Sequence, residues 1–429
     1  MTQQPALNVR TDRRLIRHNG RSQRFVLAQI NAPGAERRRE RLPVNLAFIL
    51  DRSGSMSGEK IALAKQTILA ALDHLDERDR FSVIVYDDIV DVVVESTPAS
   101  GEARRLAGSR LASVDARGST NLSEGWLRGA EQVASHLAAD GVNRCLLMTD
   151  GLANQGVTDP IELAAHASEL RARGVSTTTF GIGADFDEVL LQSMADAGGG
   201  HFYFVRDAAT IRDHITSEVG ETLEVVGREV TLEIVAPEGV DIEGLSPHPT
   251  TSRGMRTVVS LGDLVSEQVV DVVLRITFPY GDIGRETGLI AGLSDRDGLL
   301  GDSRREADAR LSWTYGDTAA NDDQKREVEV DRAVATQFTA RARQEAVRLN
   351  RAGDYRGAQH VLEATALRIR TYAGRDERMR ELIRELTSER DAFAAPMPAL
   401  MLKEAHFASG NLARMRSATG QSLNSLAPR

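Results

Sequence analysis

Across residues 44–222 short apolar runs alternate with longer amphipathic stretches. The runs at 46–50, 81–86, 144–148, 176–181 and 202–205 have the length and composition of strands, and 90–95 reads as an antiparallel edge. Between them, 59–75 spaces Ile61, Leu63, Ile68 and Leu72 at helical intervals, and 121–139, 160–173, 187–197 and 208–219 read the same way. Strands alternating with helices predict an α/β fold: a doubly wound, mostly parallel sheet covered by helices on both faces. In such a sheet ligands bind at the carboxyl ends of the strands, where the strand order reverses.

From 224 the period changes to two. Val230, Leu232 and Ile234 alternate with polar neighbours, as do Val270, Val272, Leu274, Ile276 and Phe278 up to Pro279, and 256–261 and 310–315 add short strands. This is the pattern of a β-sandwich over 223–320. Residues 7–9 and 25–30 are also strand-like, so 1–42 is expected to join the sandwich, with the α/β domain (43–222) inserted in or beside it. Residues 321–393 predict a helical hairpin or bundle. Val334, Phe338, Ala342 and Leu349 form one stripe, 351–355 interrupt it, and Ala358, Leu362 and Ile369 form another, followed by Met379, Ile383 and Leu386. The Gly353-Asp354-Tyr355 turn is similar to that of a tetratricopeptide pair, but no repeat of that period follows. After Pro396 and Pro398, one short helix (399–407) and a basic Ser/Gly/Asn-rich stretch predict that 394–429 is mostly a mobile tail.

At 429 residues, 41% hydrophobic and 27% charged, the chain suits two or three globular domains. A net charge of -9 and 4% aromatic residues argue against nucleic acid as a partner. The single cysteine, Cys145, lies in an apolar run and reads as a buried small hydrophobe, without a disulfide framework. The opening segment has no apolar core of signal-peptide length and no stretch is long enough to span a bilayer, so the expected location is cytoplasmic.

The candidate chemistry lies where two apolar strands end. In NLAFILDRSGSMS the strand 46–50 empties into a turn carrying Asp51, Ser53 and Ser55, whose spacing of two lets a carboxylate and two hydroxyls converge on one hard cation. Thr120 in RGSTNL and Asp150 in RCLLMTDGLANQG add two more oxygens, giving a five-residue metal site. Helix capping by Asp51 and Ser53, or an ordinary Asp150-Gly151 turn, would explain each piece singly but not all five.

The set D-x-S-x-S, a loop threonine and T-D-G resembles the metal-ion-dependent adhesion site of von Willebrand factor type A (VWA) domains. The layout is also similar, in order and spacing, to bacterial VWA proteins related to inter-alpha-trypsin inhibitor heavy chains and calcium-activated chloride channel-like proteins. The resemblance implies that Ser53 and Ser55 ligate Mg2+ (or Mn2+ or Ca2+) through their hydroxyls. It further implies that Thr120 does so when ligand is bound and that Asp51 and Asp150 act directly or through water. Gly54, Gly118 and Gly151 would let loop backbone approach closely. The partner implied is a protein presenting an Asp or Glu carboxylate, which makes the chain an adhesion or scaffold module and not an enzyme. The alternative is a non-catalytic subunit beside a MoxR- or chelatase-type AAA+ ATPase.

Competing motifs fail. The segment from Gly54 to Lys60 has the wrong glycine spacing for a phosphate loop and no Ser or Thr after Lys60. Gly181-Ile-Gly183 lacks a third glycine and reads as a strand-exit turn. Ser53 replaces the second carboxylate of a phosphatase loop, and Ser55 and Ser57 are not centred in G-x-S-x-G. The nine histidines show no zinc spacing, His201 reads as a strand-entry residue, and the basic run at 36–41 reads as a solvated loop.

Overall fold

In the computed structural model of the protein, residues 6–34, 41–207, 210–298 and 309–423 are described. They form two compact units, one from the 35–225 stretch and one from 1–34 together with 226–418. The chain opens in the second unit with β1 (Ala6–Thr11), β2 (Leu15–Arg17) and β3 (Ser22–Asn31).

The α/β unit then runs β4 (Val44–Asp51), α1 (Glu59–Leu72), β5 (Arg80–Tyr86), β6 (Val90–Pro98), α2 (Gly101–Ala112), α3 (Leu122–Ala134), β7 (Val142–Thr149), α4 (Pro160–Ala172), β8 (Ser176–Ile182), α5 (Glu188–Ala197), β9 (Gly199–Val205) and α6 (Ile211–Leu223). Its sheet has the order β6-β5-β4-β7-β8-β9, parallel throughout except for β6. The chain builds outward from β4 to β5 and β6 on one side and to β7, β8 and β9 on the other, so the order reverses between β4 and β7. Strands β4 and β7 are buried at every position, as central parallel strands must be.

Helix α3 lies on this centre with almost no spacer. A Cβ on Gly125 would fall 2.4 Å from Tyr86 Cγ, and one on Gly129 2.3 Å from Ile49 Cδ1, while the amide of Asn45 donates to the carbonyls of Val133 (2.9 Å) and His136 (2.8 Å). Gly125→Ala is therefore expected to destabilise the unit by about 1–3 kcal/mol in urea unfolding. Helix propensity alone would favour alanine by about 1 kcal/mol, so a more stable variant would contradict the packing.

Helix α2 has no counterpart in the sequence reading. It buries only Ala103, Ala107 and Leu111, a stripe too narrow to stand out, and its signal is local: Ser100 accepts from the backbone of Ala103 at 3.1 Å. Within the basic run, Arg41 is not a solvated loop residue. Its guanidinium donates to Asp79 Oδ1 at 2.8 Å and to Asp76 Oδ2 at 2.7 Å; residues 36–40 lie outside the described residues.

The second unit continues with β10 (Val225–Val235), β11 (Asp241–Gly244), β12 (Thr250–Arg253), β13 (Arg256–Val265), β14 (Val269–Phe278), β15 (Glu286–Ser294) and β16 (Ala309–Gly316). One sheet is ordered β1-β3-β14-β11 and the other β12-β13-β10-β15-β16-β2. The opening strands thus pair with strands that follow the α/β unit in sequence, β3 with β14 over Ser22–Asn31. Alternate residues of β3 and β14 (Val26, Ala28, Ile30; Val272, Leu274, Ile276) meet Val230, Leu232, Leu289, Leu311 and Trp313 of the facing sheet. The opposite face of the first sheet is apolar too. Leu27 and Val273 pack on Val330 and Val334 of the helical segment, so β14 is also buried between the alternating positions read from the sequence.

That segment comprises α7 (Thr318–Asp323), α8 (Val328–Arg351), α9 (Tyr355–Ala373), α10 (Glu377–Ala392) and α11 (Ala399–Ala413). The last helix corrects the reading of 394–429 as mostly mobile. It continues six residues past 407, buries Leu402, Phe407 and Ala413, and its Ala413 carbonyl accepts from the Gln337 amide at 2.8 Å. Beyond it, Arg416 forms a bridge with Ser422, and 424–429 lie outside the described residues. No helix among the described residues is long and apolar enough to cross a membrane.

Candidate metal centre

The five residues singled out in the sequence lie at the carboxyl ends of β4 and β7, on either side of the reversal in strand order. Asp51 is the last residue of β4 and Asp150 follows the last residue of β7. Both are fully buried, and so nearly are Ser53 and Thr120. Asp51 Oδ1 accepts from the Ser53 backbone at 2.7 Å, and its Oδ2 accepts from the Thr149 hydroxyl at 2.6 Å. The hydroxyls of Ser53 and Ser55 are 3.1 Å apart, and Ser55 donates to Asp150 Oδ1 at 2.6 Å. Four of the five side chains therefore form one connected set.

Thr120 arrives from a separate loop that is tied to the first by backbone. Gly54 N–H donates to the Gly118 carbonyl (3.2 Å), Arg117 to Arg52 (2.7 Å) and Asn121 to Asp87 (2.9 Å). Gly118 holds φ at +67°, and a Cβ there would fall 2.0 Å from Asp88 Oδ1, so only glycine fits this turn. On the other side, the Asn154 side chain accepts from Thr120 N–H at 3.1 Å.

Where these loops meet, Gly151 leaves a cradle. The point a Cβ on Gly151 would occupy is 3.1 Å from Thr120 Oγ1 and 3.9 Å from both Asp51 Oδ2 and Ser55 Oγ. Oxygens from two separate loops thus surround one small space beside Gly151. All five side chains offer hard oxygen donors and no nitrogen or sulfur, a set that suits Mg2+, Mn2+ or Ca2+ better than softer metals. The residues present fit a divalent ion.

Burial dominates the electrostatics. It pushes the Asp51 carboxyl up to about 6, against the partly compensating hydrogen bonds from Thr149 and Ser53, and the nearby Asp150 adds to the rise. The Tyr86 hydroxyl is buried beside these groups without a hydrogen bond of good geometry. Burial and then the Asp51 charge raise its ionisation well above the usual tyrosine range. Thr149, Tyr86, Asn154 and Lys60, whose ammonium pairs with Asp150 Oδ2, were not singled out in the sequence. Thr149 was visible there as the threonine of T-D-G, whereas the other three reach the site only through the fold.

Residues 45–217 match the von Willebrand factor type A domain family. The chain is 29% identical to the uncharacterized protein YfbK of Escherichia coli over 211 residues, 48% of this chain and 36% of that protein. It is 31% identical to human inter-alpha-trypsin inhibitor heavy chain H4 over 165 residues, 37% of this chain and 18% of that one. It thus spans well under two thirds of these relatives. A solved von Willebrand factor type A protein from Catenulispora acidiphila shares the fold across 99% of this chain and 98% of its own, with a TM-score of 0.68 at 18% identity. Strand order and these relationships agree that residues 45–217 form a von Willebrand factor type A domain.

Proposed function

We propose that the domain is a metal-dependent protein-binding module in which Asp51, Ser53, Ser55, Thr120 and Asp150 hold Mg2+, with Mn2+ or Ca2+ as substitutes. Domains of this family commonly mediate protein–protein interaction. The observation that supports the reading is the convergence of Thr120 Oγ1, Asp51 Oδ2 and Ser55 Oγ around the space beside Gly151. When bound, the ion supplies a coordination position that an Asp or Glu carboxylate of a partner protein fills. Ser53 and Ser55 contribute neutral donors, and Asp51 and Asp150, each held by hydrogen bonds, orient them. The site serves binding and not catalysis.

Isothermal titration of EDTA-stripped protein with Mg2+ and Mn2+ tests the metal reading. One site per chain is expected, lost in Asp150→Ala, and the absence of binding at millimolar metal would end the proposal. Pull-down with and without EDTA then tests the partner. A metal-dependent AAA+ ATPase whose hydrolysis rate responds to this chain would assign the accessory-subunit role instead of adhesion.

Thr120→Ala is expected to leave resting metal affinity within about threefold, yet weaken carboxylate-ligand binding about tenfold, because it removes one donor from the far loop. Titrations in which metal affinity falls further than ligand affinity would contradict that division of roles.

A further inference from the structure

Lys60 sits in the first turn of α1, where a cation opposes the helix dipole, so it is not placed there to stabilise the helix. Its ammonium instead pairs with Asp150 Oδ2 and donates to the Ser55 carbonyl at 3.3 Å. The Asp150 side chain is fully buried while that of Lys60 is 31% exposed, so the ammonium meets the carboxylate at the rim. Ser55 holds the other oxygen of Asp150, and both carboxylate oxygens are thereby committed within the site. The far wall is the turn after β8. Gly183 holds φ at +76°, and a Cβ there would fall 3.6 Å from Lys60 Nζ, which gives the Gly181-Ile-Gly183 segment a place beside the ammonium.

Charge decides what this arrangement does. Two ionised carboxylates would cancel a divalent cation and leave little to attract an acidic ligand. With Lys60 included, the loaded site keeps one net positive charge. We infer that Lys60 is a positioning and specificity-determining residue of the metal site: it weakens the hold on the resting cation and strengthens the hold on an anionic ligand. It fixes the Asp150 carboxylate and adds a second positive charge beside the place the ligand's carboxylate takes. The inference rests on the metal-dependent reading above and deepens it by assigning the charge preference of the ligand to a side chain.

The test uses the full chain as wild type, Lys60→Met and Lys60→Arg. Mn2+ affinity is read from the EPR signal of free Mn2+, and ligand affinity from paramagnetic relaxation of 13C-acetate by protein-bound Mn2+. Lys60→Met is expected to tighten Mn2+ about tenfold and weaken acetate about fivefold, opposite signs that a purely structural role would not give. Lys60→Arg keeps the charge and is expected to restore both values. Tighter Mn2+ with unchanged acetate would make Lys60 a simple competitor for the metal position and overturn the inference, as would losses in both. Thermal unfolding in EDTA checks that each variant is folded; should Lys60→Met not fold, a wild-type acetate affinity in folded Lys60→Gln overturns the inference. No Mn2+ binding by wild type would instead remove the metal reading itself.

Discussion

Asp51→Asn is expected to weaken Mn2+ binding by about 100-fold or more while making the metal-free protein more stable at neutral pH. The two effects have one cause. Burial raises the folded-state pKa of Asp51 to about 6, above the ordinary value of 3.8 that it regains on unfolding. Between those values the folded chain holds a proton that the unfolded chain has released. Stability therefore falls as pH rises from about 4 to 6, and the full penalty, about 3 kcal/mol, is present above pH 6. Asparagine removes that charge and keeps an oxygen for the Ser53 N–H, at the cost of a weaker hydrogen bond. Urea unfolding in EDTA should place Asp51→Asn about 1–3 kcal/mol above wild type at pH 7.5 and level with it near pH 4. A variant less stable than wild type at pH 7.5 would show that Asp51 serves the fold and not a ligand. In wild type, Mn2+ affinity should also fall as pH drops below 6, because the proton and the metal compete for the same carboxylate.

The residues around this carboxylate differ in how far the sequence exposes them. Asp51, Ser53 and Ser55 sit where an apolar strand ends, so their spacing brings them near one another, and Asp150 joins them because its own strand end lies beside theirs where β4 pairs with β7. Thr120 is separated from both strands, and its position depends on the backbone bonds from Gly54 to Gly118 and from Arg117 to Arg52. Lys60 was legible only as the lysine of a phosphate loop with the wrong spacing. Its pairing with Asp150 joins helix α1 to a strand ninety residues away, and no local pattern encodes that.

The fold follows the same rule. Central strands β4 and β7, and β14 between the second sheet and the helical segment, are plain because burial on both faces forces their composition. Strand β15 was missed because only Leu289 and Ala291 of its nine residues are buried. Helix α11 was shortened, and its surroundings read as mobile, because composition averages over a segment, whereas Leu402, Phe407 and Ala413 anchor it at individual points.

Glu218→Gln is expected to cost about 3–5 kcal/mol of stability and leave metal affinity unchanged. Glu218, in α6, is fully buried at the amino ends of β7, β8 and β9. Its Oε1 accepts from Arg144 Nη1 and from Thr178, both at 2.7 Å. Its Oε2 accepts from the Tyr203 hydroxyl at 2.8 Å and lies 3.0 Å from His201 Nδ1. His201, read from the sequence as a strand-entry residue, is therefore also part of this buried network. Burial alone would raise the Glu218 carboxyl, but the interactions with His201 and Arg144 hold it well below the usual glutamate range. Its stabilisation is thus fully present above the ordinary value of 4.5 and is lost as pH falls toward the depressed folded value. Glutamine removes the Glu218 charge from beside the Arg144 guanidinium, which is 2% exposed. The double variant Arg144→Met, Glu218→Met should recover most of the loss, since removing both charges leaves neither buried alone. The network also decides a second question about the same cluster. His201, Glu218 and Glu221 bring ligand atoms within 4.8 Å of one another, a grouping that could hold a metal ion. Both oxygens of Glu218 are already engaged by Arg144, Thr178, Tyr203 and His201, which argues for a structural clamp. Added Zn2+ should therefore leave thermal stability unchanged in Asp150→Ala, where the other site is disabled, and a rise in Tm would reassign the cluster as a metal site. Asp150 lies six residues further along the chain from Arg144, about 20 Å at strand rise. Mn2+ affinity within twofold of wild type in folded Glu218→Gln is the result that separates the clamp from the binding site.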